Sequence, residues 1–451
     1  MDKSLTEGSE WKQILLFSLP IMAGQLLQQL YNTVDGIVVG NFISSDALSA
    51  VGSCGTLAFF FVSLALGMST GSGIVVAQLF GARKLEELRR TASTALIMLF
   101  VLGVFFSALG FFSSDFIMDD VLRIVEPEIN GPAAVYFRIY SLGLLFQFIY
   151  NAVAGILRSV GDSRATLYFL LVSTLINTVL DLLFVCVFHW GVAGAAWATI
   201  IAQFACALVS FIYMFRRYDY LRFTPRQLVF DREKFTLCLK MGVPASVQQV
   251  IISSGALLLQ RLVNSFGPVT MAAYTVGIRF DHYMGVPVMG FYSGMSAFAG
   301  QNTGAGKPER VKRGLLVTLI MDELFVAVMA VAIYSLASPL AQLFGVEGEK
   351  LEQSVEFLRF MALIYPLFAA YIPFNGLAQG CGDPNGSLMV AMCALVGKVL
   401  AAYGMVYLLH MGYAVCWQCN AVSWAVALIV AVLRFSTGRW RRGNLVQEPE
   451  V

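Results

Sequence analysis

Apolar runs long enough to cross a bilayer follow one another from residue 14 to residue 434, separated by short clusters of polar residues, glycine and proline. A hydrocarbon core about 30 Å thick is crossed by roughly 20 residues of helix, and a helix satisfies its own backbone hydrogen bonds there. Breaking the chain at the polar clusters predicts twelve spans: 14–40, 48–79, 92–113, 134–157, 165–188, 192–215, 240–264, 271–299, 315–343, 355–378, 388–409 and 414–434. The pattern is that of an all-α, polytopic membrane protein.

Charge placement supports the count. With both termini in the cytoplasm, the inside segments collect Lys3, Lys12, "GARKLEELRR" (81–90), Arg158, Arg164, the linker "FRRYDYLRFTPRQLVFDREKF" (215–235), "GKPERVKR" (306–313) and a tail bearing Arg434, Arg439, Arg441 and Arg442. These are most of the 30 basic residues. The opposite face keeps the acidic stretches "SSDFIMDDVLRIVEPEING" (113–131) and "GVEGEKLEQS" (345–354). This is the positive-inside asymmetry of a multi-pass plasma (inner) membrane protein. The first apolar run is too long to be the h-region of a cleaved signal.

Composition adds that 58% of the 451 residues are hydrophobic and 13% charged. Soluble domains carry about 25% charged residues, so the bulk of this chain belongs in lipid, with lipids as partners and no nucleic-acid partner expected.

The chain also repeats itself at an offset of about 220 residues. "SLPIMAGQ" (18–25) answers to "GVPASVQQ" (242–249), "ALSAVG" (47–52) to "AAYTVG" (272–277), and "GILRSVGDSRATL" (155–167) to "GLAQGCGDPNGSL" (376–388). The repeated unit holds six spans, an even number, so both copies share one orientation in the membrane. Parallel repeats of this kind are a transporter architecture. The expected organisation is an N-terminal lobe over 1–215, a cytoplasmic linker over 216–239, a C-terminal lobe over 240–435 and a tail over 436–451.

"LYNTVDGIVVG" (30–40), "ALSAVG" (47–52), "AQLFGARK" (77–84), "INTVLD" (176–181) and "GVAGAAWAT" (191–199) together resemble the multidrug and toxic compound extrusion (MATE) transporters of the DinF-like bacterial type. The resemblance covers nearly the whole chain. It implies two six-helix lobes in a V shape, and an antiporter that exports mostly cationic organic compounds in exchange for protons or sodium ions.

Polar residues inside the spans carry the candidate chemistry. A carboxylate at the centre of a membrane helix costs about 2.5–3.5 kcal/mol on insertion scales, so Asp35 on the first span and Asp181 on the fifth need compensation. Asn177 and Asp181 are an i, i+4 pair on one helix face, and Thr199 on the sixth span falls at the same depth. These four offer oxygen ligands suited to sodium, or a carboxyl pair able to share a proton. Matching residues hold the coupling ion in the relatives that the resemblance points to. The alternative is that these side chains only bond neighbouring helices.

The second lobe departs from the first, since Lys398 and Ala402 align with Asn177 and Asp181. Lys398 and Asp281 fall at comparable depth and are expected either to pair as structural glue or to meet a cationic substrate. Gln248, Gln249 and Gln260 stand on span seven, where many relatives carry a glutamate. Asp322 and Glu323 are expected in a solvated vestibule in the inner third of span nine. His189 and His410 occupy matching outer turns, read as shared turn geometry. The pair Cys416 and Cys419 reads as packing.

No phosphate-binding loop, nucleophile elbow or metal-ligand cluster appears. The chain is therefore expected to be a monomeric, cofactor-free transporter rather than an enzyme. Its coupling ion is H+ or Na+, with no metal beyond that sodium. A lipid-linked precursor flippase and a membrane-embedded enzyme are the competing readings.

Overall fold

In the computed structural model, residues 4–43, 45–121, 127–223 and 229–446 are described, with backbone only at 32–41, 45–49, 53, 56, 121, 127–128, 256–257 and 442. Twelve long helices account for most of them: α1 (Glu10–Phe42), α2 (Ser45–Gly81), α3 (Leu85–Phe112), α4 (Pro127–Ser159), α5 (Ser163–Asp181), α6 (Gly191–Arg217), α7 (Arg232–Ser265), α8 (Pro268–Gly304), α9 (Pro308–Ser335), α10 (Glu349–Gly380), α11 (Pro384–Tyr407) and α12 (Val415–Ser436). There is no strand among the described residues. Each expected span holds one long helix, although the ninth, expected over 315–343, ends at Ser335 and is followed by a separate short helix, Ala337–Gln342. Eleven are long and apolar enough to cross a membrane. The exception, α8, has 37 residues but is diluted by glycines, hydroxyls and the run Arg279, Asp281, His282.

The helices overrun the spans wherever polar residues are themselves good helix starters. Pro268, Pro308 and Pro384 occupy the first turns of α8, α9 and α11, where the missing N–H is harmless and the fixed φ is already helical. Asp162 caps α5 by accepting from the Ala165 N–H at 3.3 Å, and Asp383 caps α11 by accepting from the Gly386 N–H at 3.0 Å. The glycine before each cap is left-handed, with φ of 90° at Gly161 and 83° at Gly382. His189 and His410 share a left-handed turn as well, at φ 55° and 51°. The duplication thus persists in backbone conformation where side chains have diverged.

By internal packing the chain forms two compact units, Ala23–Ser246 and Met1–Met22 with Val247–Val451, so the divisions run through helices α1 and α7. In the first unit α4 is the hub, packing on α2, α3 and α6, while α5 pairs with α6. In the second, α10 packs on α8, α9 and α12, while α11 pairs with α12. The pairings repeat with a shift of six helices.

Small residues explain where the divisions fall. Gly67 and Gly71 on α2 are a G-x-x-x-G pair, and a Cβ on Gly71 would stand 2.2 Å from the Gly242 nitrogen. The first half of α7 therefore lies backbone-to-backbone on α2 in the first unit. The equivalent pair on α8, Gly290 and Gly294, meets Met22 and Ser18 of α1 in the second unit. The core of the first unit is aromatic around Phe61, Phe106, Phe137 and Phe148. That of the second is built on Phe357, Tyr365 and Trp417.

Candidate functional site

Three of the four coupling candidates come together in the first unit. Asn177 and Asp181 stand on the last turns of α5 and Thr199 on the third turn of α6, all buried, with Asp181 fully enclosed. The Asn177 amide donates to the Thr199 hydroxyl oxygen at 3.5 Å, and that hydroxyl donates to the Ala195 carbonyl at 3.0 Å. Asp181 is some 18 residues from the start of α5, about 27 Å along the axis. Asp35 lies on α1 within the same unit, but its side chain is outside the described residues.

Sequence gave no warning of the backbone at this point. The α-helix ends at Asp181 and continues as a π-helical segment, Leu182–Val187. Such segments widen the hydrogen-bond ladder and cluster at functional positions. Here the change of winding starts at the carboxylate itself, next to the paired Asn177 and Thr199.

The second unit is built differently at the matching level. Ala402 is buried in its core, and Asn420, which takes the place of Thr199, leans its amide on the Met361 sulfur at 3.8 Å. No ion pair within 4.0 Å joins Asp281 to Lys398. The Asp281 carboxylate instead accepts from the Tyr365 hydroxyl, which also reaches the Asp281 carbonyl at 2.9 Å. A small cavity lined by Gly277, Asp281, Met284, Met361 and Tyr365 opens beside them. Arg279 lies over the Phe344 ring, 5.6 Å from its centroid.

The vestibule expected around Asp322 is corrected. Because α9 begins at Pro308 rather than at 315, Asp322 falls at the helix midpoint, and it is fully buried. Glu323, one residue on, is half-buried.

Two polar arrangements escaped the sequence reading. Tyr292 donates to Gln379, Gln379 donates to the Gln248 side-chain amide oxygen at 2.7 Å, and Ser387 donates to the same oxygen at 3.3 Å. This neutral network fills the position for which an acid was sought on span seven. The second is a repeated tie at the helix caps. Asp162 accepts from Tyr213 at 2.9 Å and Tyr218 at 2.7 Å, whereas Asp383 accepts two bonds of 2.8 Å from Arg434. Tyr213 and Arg434 are repeat-equivalent, so one geometry is met by two chemistries. Burial first, then its bond to Asp162, pushes the Tyr218 hydroxyl above its usual range and keeps it a donor.

All eight cysteines are free, Cys416 and Cys419 buried among them. No group of three or more His, Cys, Asp or Glu suited to a metal ion occurs among the described residues.

Comparison with known proteins places this arrangement. Over 98% of both chains, the sequence is 29% identical to the Probable multidrug resistance protein YpnP of Bacillus subtilis. It is 23% identical to the Probable multidrug resistance protein NorM of Thermotoga maritima, over 97% of this chain and 95% of that one. Among solved structures, an outward-facing multidrug resistance MATE family transporter of the MOP superfamily superposes with a TM-score of 0.91 at 25% identity, covering 97% of this chain and 98% of its own. A MOP superfamily transporter from Pyrococcus furiosus gives 0.90 at 25% identity over 99% of both chains. The MatE family model matches residues 20–183 and 244–403, one segment in each repeat, and this multi-pass membrane protein belongs to the MatE family of transporters.

Proposed function

We propose that the protein is a secondary antiporter that expels amphipathic, cationic organic compounds by alternating access, in exchange for protons or sodium ions. Asp35, Asn177, Asp181 and Thr199 form its coupling site. The observation that carries this reading is the enclosed cluster at the α5–α6 contact, where Asn177 bonds Thr199 beside a fully buried Asp181. A carboxylate held in that position gains from a cation or a proton and loses when left charged and dry. The names of the relatives, multidrug resistance and multidrug export proteins, support organic compounds as cargo.

Of the two ions, the proton is the better match. A proton needs only the carboxyl groups, whereas a hard cation needs several oxygens around it, and the Thr199 hydroxyl, which accepts from Asn177 and donates to Ala195, has a single lone pair left to offer. On this reading both termini are cytoplasmic in the plasma (inner) membrane, and the basic stretches 81–90 and 306–313 anchor that topology. The test is uptake of a fluorescent organic cation into proteoliposomes under an imposed proton or sodium gradient. Accumulation should follow the gradient and collapse with an ionophore. Transport that ignores both gradients contradicts the proposal.

A further inference from the structure

The second unit holds a buried ionisable side chain that the coupling cluster does not use. Asp322 sits at the middle of α9, about 21 Å from its first residue. It is 0% exposed, and neither carboxylate oxygen has a hydrogen-bond partner among the described residues. One turn before it, Thr318 donates to the Met295 sulfur of α8 at 3.4 Å and to the Gly314 carbonyl at 2.7 Å. One turn after it, Phe325 meets Phe291 of α8 edge to face, with centroids 5.6 Å apart. Met295 and Phe291 belong to an apolar layer with Ile14, Phe17 and Met22 of α1.

Among the described residues, no cation stands near to balance a charge there. On α8 the charged groups are Arg279, Asp281 and His282, about three turns, or roughly 16 Å, from the level of Phe291 and Met295. Tyr292 on the same helix commits its hydroxyl to Gln379. On α1 the second unit holds Glu10 and Lys12, both in the first turn, with Glu10 paired to Arg310 at 3.3 Å. Between Arg359 and Gly380, α10 has only Tyr365 and Tyr371 as titratable groups, and Tyr365 is tied to Asp281. On α9 itself, Arg310, Lys312 and Arg313 lie at least nine residues before Asp322, about 14 Å or more along the axis, with Arg310 paired to Glu10 and Lys312 to Glu309, and the neighbouring Glu323 can only repel a second negative charge.

A carboxylate ionised in this setting has lost its water and gained no partner. A hard metal ion would need several oxygens around it, whereas α8 faces this level with Met295 and Phe291, and the Thr318 hydroxyl is the one side-chain oxygen on the α9 turn before Asp322. A proton removes the difficulty at once. We infer that Asp322 is a proton-binding site of the second unit: it carries a proton in this conformation and gives it up when the layer between α1, α8 and α9 admits water. The site is distinct from the α5–α6 cluster and stands whether or not that cluster couples transport.

Infrared spectroscopy of the full chain in lipid nanodiscs at neutral pH tests this, comparing wild type with Asp322→Asn. The expected difference is the loss of one protonated-carboxyl C=O band per molecule, shifted in D2O, alike in sodium-free and sodium-containing buffer, and retained in Asp181→Asn. Loss of a carboxylate band instead overturns the inference. A protonated band that vanishes on adding sodium also overturns it, in favour of a metal site. Asp322→Glu provides the check if the asparagine variant folds poorly, since it should displace the band in frequency. A folded Glu variant with an unmoved band counts against the assignment.

Discussion

The close approach of α2 and α7 makes a sharp prediction about a single methyl group. In Gly71→Ala the new Cβ would stand 2.2 Å from the Gly242 nitrogen, 2.3 Å from its Cα and 2.6 Å from the Met241 carbonyl carbon, all backbone atoms. Carbon atoms rest about 3.5–4.0 Å apart, so the two helices must separate locally by more than about 1 Å. Gly67, one turn back, is seated against the Ser246 Cα in the same way and loses its contact as they part. Overpacking of this kind costs about 1–3 kcal/mol, and between lipid-embedded helices packing is itself a main source of cohesion. The better helix propensity of alanine returns up to about 1 kcal/mol.

Gly52, on the same helix, has nothing within 4 Å of its ideal Cβ, so Gly52→Ala keeps only the gain. Gly294→Ala should fall between them, because its contact at 2.2 Å is the Ser18 hydroxyl, which can rotate away. Unfolding by denaturing detergent in mixed micelles should therefore rank the variants Gly52→Ala, wild type, Gly294→Ala, Gly71→Ala, from most to least stable. The ends of that series should differ by about 2 kcal/mol, or roughly thirtyfold in the unfolding equilibrium. Equal stability of Gly71→Ala and Gly52→Ala would refute the assignment of α7's first half to the face of α2.

The cap tie at Asp383 predicts that Arg434→Ala destabilises by about 2 kcal/mol, since it strips two charge-assisted bonds from a largely buried carboxylate. Arg434→Tyr, which copies the Tyr213 solution of the first unit, should recover part of that loss in the same unfolding assay. Thr199→Val should reduce proton-driven export only modestly. Asn177→Leu should cost more, because it removes the amide that Thr199 accepts from; export that needs external sodium and disappears in Thr199→Val would reverse the choice of ion.

How much could be read in advance varied with the kind of signal. The twelve spans were legible because lipid demands long apolar helices, and their ends drifted where first-turn residues such as Glu86 and Glu87 are polar yet helical. The turns at His189 and His410 followed from the repeat, since the same left-handed geometry recurs. The placement of Asn177 with Thr199 followed from depth along antiparallel helices. The burial of Asp322 did not: it depends on where α9 begins and which face it turns inward, and a seven-residue shift in the start moves the carboxyl from rim to middle. The Tyr292, Gln379, Gln248 and Ser387 network was equally invisible, because it joins four helices through neutral side chains that carry no spacing rule.

The central claim is that a carboxyl cluster in the first unit couples export to an ion gradient, and Asp181→Asn tests it most directly. Asparagine keeps the shape of a fully enclosed side chain but can neither carry a proton nor balance a cation. Proteoliposomes bearing the variant, and Asp35→Asn in parallel, should lose gradient-driven accumulation of an organic cation by at least about tenfold, while the protein remains folded and still binds that cation. Accumulation at the wild-type level in Asp181→Asn would contradict the account.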